Sequence, residues 1–142
     1  MASVQDRLYI DKSDRKIVET FEERSYFNFK NKTQKDKFIF AMCYGYNSGI
    51  KKMEIKKKEE FFFTKNLNSK DQTILYSIAL EHTGDVNVLN DINKVYEIAQ
   101  MYAHIGFKIL SDLEESTSIG GSLESKFEIE LKETYEKIQN KR

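Results

Sequence analysis

The stretch FIFAMCYGYNSGIKKMEIKKK, residues 38–58, decides most of the fold and poses the question of function. Its first half is almost wholly apolar, and its side chains recur at steps of three and four, which predicts a helix with a buried face. Thr33 is the expected N-cap, and the turn-forming residues before Gly49 predict that the helix ends between Gly45 and Gly49. The predicted core positions are Phe38, Ile39, Met42, Cys43 and Tyr46.

The second half of the stretch is cationic, with five lysines among the eight residues 51–58. Two interpretations are open. The lysines either solvate a loop that follows a core helix, or they form a surface that holds a nucleic acid. The sequence alone does not decide between them.

The composition is typical of one soluble domain, since 39% of the 142 residues are hydrophobic and 32% are charged. No apolar run approaches the ~20 residues needed to span a bilayer, so we expect no membrane partner. The N-terminus MASVQDRLYI lacks the order of a signal peptide, and a single cysteine fits a reducing compartment, which together predict a cytoplasmic location. The absence of proline from the sequence favours helices.

The predicted fold is mainly α, with a short N-terminal strand, a compact domain of about four helices and a C-terminal amphipathic helix. The alternation in RLYID predicts the strand. Helices are expected after a Ser13 or Asp14 cap, after Thr33, from Asp71 to Gly84 and over 92–114. Residues 50–70 are interpreted as an ordered loop that the run Phe61–Phe63 anchors to the core. The predicted organisation is a domain at 1–115, a Gly/Ser linker at 116–122 and the final helix at 123–142.

The final helix carries a narrow apolar stripe opposite a face of glutamates and lysines. Such a helix docks on its own domain or on a partner, and we interpret the stripe as a partner-binding site. Its residues are Leu123, Phe127, Leu131, Tyr135 and Ile138.

Residues suited to catalysis are sparse. A cluster of Glu81, His82 and Asp85 could seat a metal, but it lacks the spacing of known zinc motifs, and a helix end explains it more simply. His104 is expected to be a packed or surface residue, and Cys43 an inert core thiol. We therefore expect no enzyme, no cofactor and no metal site, and we keep a metal enzyme built on the Glu81 cluster as a third hypothesis.

The charge is divided between the two halves of the chain. Residues 1–70 carry a net charge of +6 and residues 71–142 a net charge of −6. This division indicates a nucleic-acid face, attraction between the halves, or a homodimer. If a nucleic acid binds, Tyr44, Tyr46 and the run Phe61–Phe63 are candidates for base stacking. The predicted nucleic-acid-binding residues are Lys30, Lys32, Lys35, Lys37, Lys51, Lys52, Lys56, Lys57 and Lys58.

A strand carrying Arg7 and Tyr9, followed by two helices, is similar to the ribbon-helix-helix arrangement. In that arrangement paired strands of a dimer read the major groove of DNA. The two helices are separated here by roughly ten residues, where that family uses a tight turn. A dimeric DNA-binding regulator of this kind is the alternative function.

Two stretches resemble a family of small Dnd system-associated proteins, which are encoded beside bacterial DNA phosphorothioation and anti-phage defence genes. They are FKNKTQKDKFIFAMCYGYNSGIKK (29–52) and IALEHTGDVNVLNDINKVYEIAQMYAHIGFKIL (78–110). The shared features are an FKxKxDxFxFAxxxGYxxG-like run, an IALExTGDxxxL run and a YAxxGxxIL-like signature. The resemblance implies a cytoplasmic bacterial accessory protein in DNA-based defence, acting either near DNA or within a larger complex. Together with the charge division and the sparse catalytic residues, it leads to the predicted function of a non-catalytic accessory subunit that binds a larger nuclease or ATPase subunit, with DNA as a second candidate partner. The resemblance implies no catalytic residue, and the residues after Gly121 lie outside it.

Overall fold

The structure of the protein, a computed structural model, describes residues 3–116. The predicted C-terminal helix and the linker beyond Ser116 lie outside these residues. The described fold is mainly α with a short two-stranded sheet, as predicted. Its elements are β1 (Arg7–Asp11), α1 (Arg15–Glu23), α2 (Gln34–Asn47), β2 (Lys58–Phe63), α3 (Ser69–Thr83) and α4 (Ile92–Ser116).

Helix α4 is the centre of the domain. It packs against α2, α3, β1 and α1, and nearly half of its residues are buried. The closest crossing is with α2, where Gly45 and Gly106 face the other helix. A Cβ atom on Gly106 would collide with the carbonyl oxygen of Ala41, and one on Gly45 with that of Tyr102. A glycine inside a helix costs about 1 kcal/mol relative to alanine, so Gly106 within the predicted helix 92–114 indicates a close approach of a neighbouring helix, and the structure confirms it.

Helix α2 ends at Asn47, within the predicted interval from Gly45 to Gly49, and Gly49 supplies the positive backbone angle, with φ of 83°, just after it. Gly45 lies inside the helix and is needed because a side chain there would separate the two helices. The predicted core position of Cys43 is wrong. It lies on the exposed side of α2, because the apolar run is wider than the face that α4 covers.

The sheet contains a strand that the sequence did not reveal, because residues 58–63 were expected to be a loop. Strand β2 pairs antiparallel with β1, and the register shifts between Leu8 and Tyr9. This β-bulge turns two adjacent side chains inward, so Phe61 and Phe62 are both buried while Phe63 is 44% exposed. The predicted anchoring of this run to the core is confirmed for Phe61 and Phe62. The charged residues before them hid the alternation that marks a strand.

The helix caps follow the sequence signals at most ends. Thr33 caps α2 by accepting a hydrogen bond from the Asp36 backbone N–H. Asn68 and Asp71 form a capping box at the start of α3, so this helix begins at Ser69 and not at Asp71. Gly84 ends α3 in the left-handed conformation, with φ of 65°. Among the helices of residues 3–116, none is both long and apolar enough to cross a membrane.

The start of α1 differs from the prediction. Neither Ser13 nor Asp14 caps the helix with its side chain. Asp11 instead accepts hydrogen bonds from the backbone N–H and the hydroxyl of Ser13, at 2.9 and 2.8 Å. Asp14 is 1% exposed and faces α4, so its carboxylate is buried in the core and does not cap α1.

Candidate nucleic-acid interface

The nine predicted lysines lie in two groups at the two ends of α2. Lys30, Lys32, Lys35 and Lys37 lie before or within its first turns, and the other five lysines follow its C-terminus. Helix α2 has 14 residues, which corresponds to about 20 Å between the groups.

Two lysines of the first group already form ion pairs within the protein. The Nζ atom of Lys35 lies 2.8 Å from a carboxylate oxygen of Asp71. Lys37 is 5% exposed, and its Nζ atom lies 3.2 Å from Glu22 and donates a hydrogen bond to Gln34 at 3.0 Å. A phosphate could reach these ammonium groups only by competing with existing partners. Lys30 and Lys32 remain exposed before α2.

The second group is different, because all five of its side chains are exposed. Within residues 3–116 none of them forms an ion pair. The Nζ atom of Lys58 lies 5.8 Å from the ring centroid of Tyr9, which leaves its charge uncompensated. We call residues 51–58 the lysine segment. Its five lysines are Lys51, Lys52, Lys56, Lys57 and Lys58.

The backbone at the C-terminal end of the lysine segment is fixed although the lysine side chains are exposed. The Lys56 N–H donates a hydrogen bond to Asp11 Oδ2 at 2.9 Å. The Lys12 N–H donates to the carbonyl oxygen of Lys57 at 2.8 Å. This end of the segment is therefore held at the end of β1.

Asp11 is the electrostatic anchor of this arrangement. Burial opposes its ionisation, but the hydrogen bonds from Ser13 and from the Lys56 N–H outweigh burial and lower the pKa of Asp11 to about 2. The carboxylate is thus charged throughout the neutral range. Its importance was invisible in the sequence because Lys56 lies far along the chain.

The predicted stacking residues are divided between core and surface. Phe61 and Phe62 are buried, and Tyr44 is half-buried beside Phe40, with 6.5 Å between the ring centroids. Tyr46 is 37% exposed and stays available for a base. The guanidinium of Arg7 covers the exposed Phe63 ring at 4.9 Å from its centroid.

A buried hydrogen bond between His104 and Asp14 joins α4 to the start of α1. The Nδ1 atom of His104 lies 2.5 Å from Asp14 Oδ2, and both residues are at most 4% exposed. Burial raises the pKa of Asp14, although His104 and Lys108 oppose the rise. The sequence left open whether His104 is packed or at the surface, and it did not reveal the Asp14 partner, because 90 residues separate the two.

The cluster around His82 is dispersed in the structure. His82 Nδ1 lies 2.7 Å from the Tyr102 hydroxyl, and Glu81 is exposed. Asp85 accepts a hydrogen bond from the Asn87 N–H at 2.9 Å, the local capping role that its position suggested. Across residues 3–116, no three His, Cys, Asp or Glu side chains converge as metal ligands.

Comparison with known protein families, curated proteins and solved structures found no match to the chain. The resemblance to Dnd system-associated proteins therefore stays a prediction. The apolar stripe from Leu123 to Ile138 also stays a prediction, because it lies outside the described residues.

Proposed function

We propose that the protein is a non-catalytic accessory subunit that contacts the phosphate backbone of DNA through the lysine segment. The observation that carries the proposal is the presence of five exposed lysines, without ion pairs among the described residues, on a segment whose C-terminal end is hydrogen-bonded to Asp11 and Lys12. Such charges give sequence-independent affinity, since each phosphate they neutralise releases condensed counterions.

The geometry narrows the nine predicted lysines to a smaller set. Binding a phosphate with Lys35 or Lys37 would cost the existing ion pairs with Asp71 and Glu22. Phosphate binding by the lysine segment would break no ion pair among the described residues. Lys30 and Lys32 provide a second contact at the other end of α2. A duplex lying along α2 would meet both groups.

The larger context rests on the resemblance to the Dnd system-associated family. It supports a cytoplasmic role in bacterial defence or DNA modification beside a larger nuclease or ATPase subunit. In this proposal the stripe from Leu123 to Ile138 docks on that subunit, and the lysine segment faces the DNA. No described residue is assigned to catalysis.

The structure gives the ribbon-helix-helix alternative no specific support. Strand β1 pairs with β2 of the same chain, where that arrangement requires pairing with β1 of a second copy. On its other edge, the Tyr9 N–H already donates a hydrogen bond to Gln100 Oε1 at 3.1 Å. A dimer built on β1 would have to displace this contact.

The DNA contact is tested by two charge-matched triple variants in fluorescence anisotropy with a labelled duplex. The first changes Lys51, Lys56 and Lys57 to Gln, and the control changes the exposed lysines at positions 16, 65 and 70 to Gln. We expect about a tenfold or greater loss of affinity in the first variant and about a twofold loss in the control. Equal losses of duplex affinity in the two variants would show that binding depends on the net charge of the protein and not on the position of the lysines. No wild-type binding below ~100 μM at low salt would contradict the DNA contact itself.

The accessory role is tested by a pull-down from the native host with the full chain and with a chain lacking residues 122–142. We expect a larger subunit to be captured by the full chain and lost on truncation. A partner list that the truncation leaves unchanged would contradict docking through the stripe. Circular dichroism of both proteins controls for folding.

A further inference from the structure

A cleft of about 300 Å³ lies between the lysine segment and helices α3 and α4. Its apolar surface comes from Met53, Ile98 and Met101. Three ammonium groups line it, and these belong to Lys52, Lys58 and Lys94. Cations above an apolar floor suit a ligand with an anionic group and a flat or apolar body.

A buried glutamine is part of the wall of this cleft. Gln100 is 1% exposed and lines the cleft. Its Oε1 atom accepts hydrogen bonds from Gln5 Nε2 at 2.9 Å and from the Tyr9 N–H at 3.1 Å. Within residues 3–116 the amide nitrogen of Gln100 donates no hydrogen bond, so the NH₂ group is the polar group that Gln100 offers to a ligand.

His82 presents a second donor. The side chain of Tyr102 is almost fully buried, and its hydroxyl has no acceptor among the described residues other than His82 Nδ1, at 2.7 Å. We therefore assign the hydroxyl as the donor and Nδ1 as the acceptor, which leaves the ring proton on Nε2. Burial, with Lys94 and Lys51 nearby, lowers the pKa of His82, so the imidazole is neutral at pH 7. A neutral Nε2–H donates to an anion without adding charge.

The lining and volume of the cleft suit a ligand larger than an inorganic ion. Glu54 and Glu97 also line it, and Glu97 lies 3.7 Å from Lys94. These carboxylates would repel a bare phosphate, but they accept hydrogen bonds from hydroxyl or amino groups. The volume of about 300 Å³ is at the lower end of the range for small-molecule sites.

We propose that this cleft binds a single phosphomonoester nucleotide, with its phosphate on Lys52, Lys58 and Lys94. The Gln100 amide and the His82 Nε2–H donate to the phosphate or to the base. The sugar and base lie over Met53, Ile98 and Met101. The inference rests on the proposed function in one respect, because Lys52 and Lys58 belong both to the lysine segment that is proposed to contact DNA and to this cleft. A free nucleotide and the 5′-phosphorylated end of a strand carry the same chemistry.

The test is calorimetric titration of the full chain with AMP, using inorganic phosphate as the comparison ligand. Lys94→Gln removes one ammonium group, and Lys70→Gln is the matched control because Lys70 is exposed at the opposite end of α3 from His82. We expect AMP to bind about tenfold more tightly than phosphate, and Lys94→Gln to weaken AMP about tenfold with no change for Lys70→Gln. His82→Gln is a second variant, which keeps a donor and is expected to lose less affinity than Lys94→Gln.

A second arm separates the two sources of the nucleotide. A short oligonucleotide with a 5′-phosphate is compared with the same oligonucleotide ending in a 5′-hydroxyl. A preference for the phosphorylated end that Lys94→Gln abolishes supports the site even if free AMP does not bind. The proposal is overturned if neither ligand binds, or if Lys94→Gln and Lys70→Gln behave alike.

The variant with Lys51, Lys56 and Lys57 changed to Gln separates this inference from the DNA contact. It is expected to lose duplex affinity while retaining AMP. Duplex binding with neither AMP binding nor a preference for the 5′-phosphorylated end would refute the cleft alone. Nucleotide binding without duplex binding would refute the DNA surface alone.

Discussion

Replacing Asp11 with Asn tests whether a single buried carboxylate holds the lysine segment in place. The substitution keeps the shape of the side chain and removes its charge. An Asn oxygen still accepts from Ser13, but the amide nitrogen then faces the Lys56 N–H, so two donors oppose each other. The magnitude follows from the pKa of Asp11, which is lowered from 3.8 to about 2 in the folded protein. At about 1.4 kcal/mol per pKa unit, we expect a loss of about 2 kcal/mol in the free energy of unfolding at pH 7.

The sign of the pH dependence is fixed by the same shift. A carboxyl group whose pKa is lower in the folded state stabilises the protein above its unfolded pKa. The stabilisation by Asp11 is therefore complete at neutral pH and is lost as the pH falls from about 4 through 2. The wild type and Asp11→Asn should differ by about 2 kcal/mol at pH 7 and converge near pH 2.

Urea denaturation at several pH values measures this difference. Asp112→Asn is the matched control, because Asp112 is exposed beside the same segment and should change the stability by about 0.5 kcal/mol or less. A difference between wild type and Asp11→Asn that does not vary from pH 7 to pH 2 would refute the role assigned to the charge. A loss below about 0.5 kcal/mol at pH 7 would refute the anchor itself.

Three further predictions concern the core and the single thiol. Gly106→Ala should cost about 3 kcal/mol, because its Cβ would collide with the Ala41 carbonyl oxygen and force the helices apart, and a loss below about 1 kcal/mol in urea denaturation would contradict the close crossing. His104→Leu should cost about 3 kcal/mol at pH 7 because it leaves the Asp14 carboxyl group buried without its hydrogen-bond donor. This loss should shrink towards pH 4, since burial raises the pKa of Asp14 and favours its neutral form, and a loss independent of pH would contradict the pairing of His104 with an ionised Asp14. Cys43 should react with a maleimide in the native protein, slowly at pH 7 and faster at pH 9, because burial by its neighbours raises the pKa of an otherwise exposed thiol. Labelling that requires denaturant would contradict its position on α2.

The sequence predicted those parts of the fold that depend on local spacing. The limits of α4, the Thr33 cap and the close packing at Gly106 follow from periodicity, from capping chemistry and from the cost of glycine in a helix. Strand β2 could not be identified in this way. Its charged residues interrupt the alternation, and its partner β1 lies some fifty residues earlier.

The sequence predicted which residues make up the candidate site, but it did not predict how they are arranged or which of them are already paired. The density of lysines in residues 51–58 is visible in the sequence. The ion pairs that remove Lys35 and Lys37 from the predicted set depend on Asp71 and Glu22, which are distant in the chain. The anchoring of the segment by Asp11 likewise appears only when β1 and β2 pair.

The salt dependence of duplex binding tests the central claim most directly, since it counts the phosphates that the protein neutralises. The five lysines of the lysine segment together with Lys30 and Lys32 would contact about seven phosphates, which predicts a slope of about −6 for log K against log salt concentration. Changing Lys51, Lys56 and Lys57 to Gln should reduce the slope to about −4, and the control variant at positions 16, 65 and 70 should keep the wild-type slope. Identical slopes for the wild type and the lysine-segment variant would contradict the claim that these lysines hold the DNA.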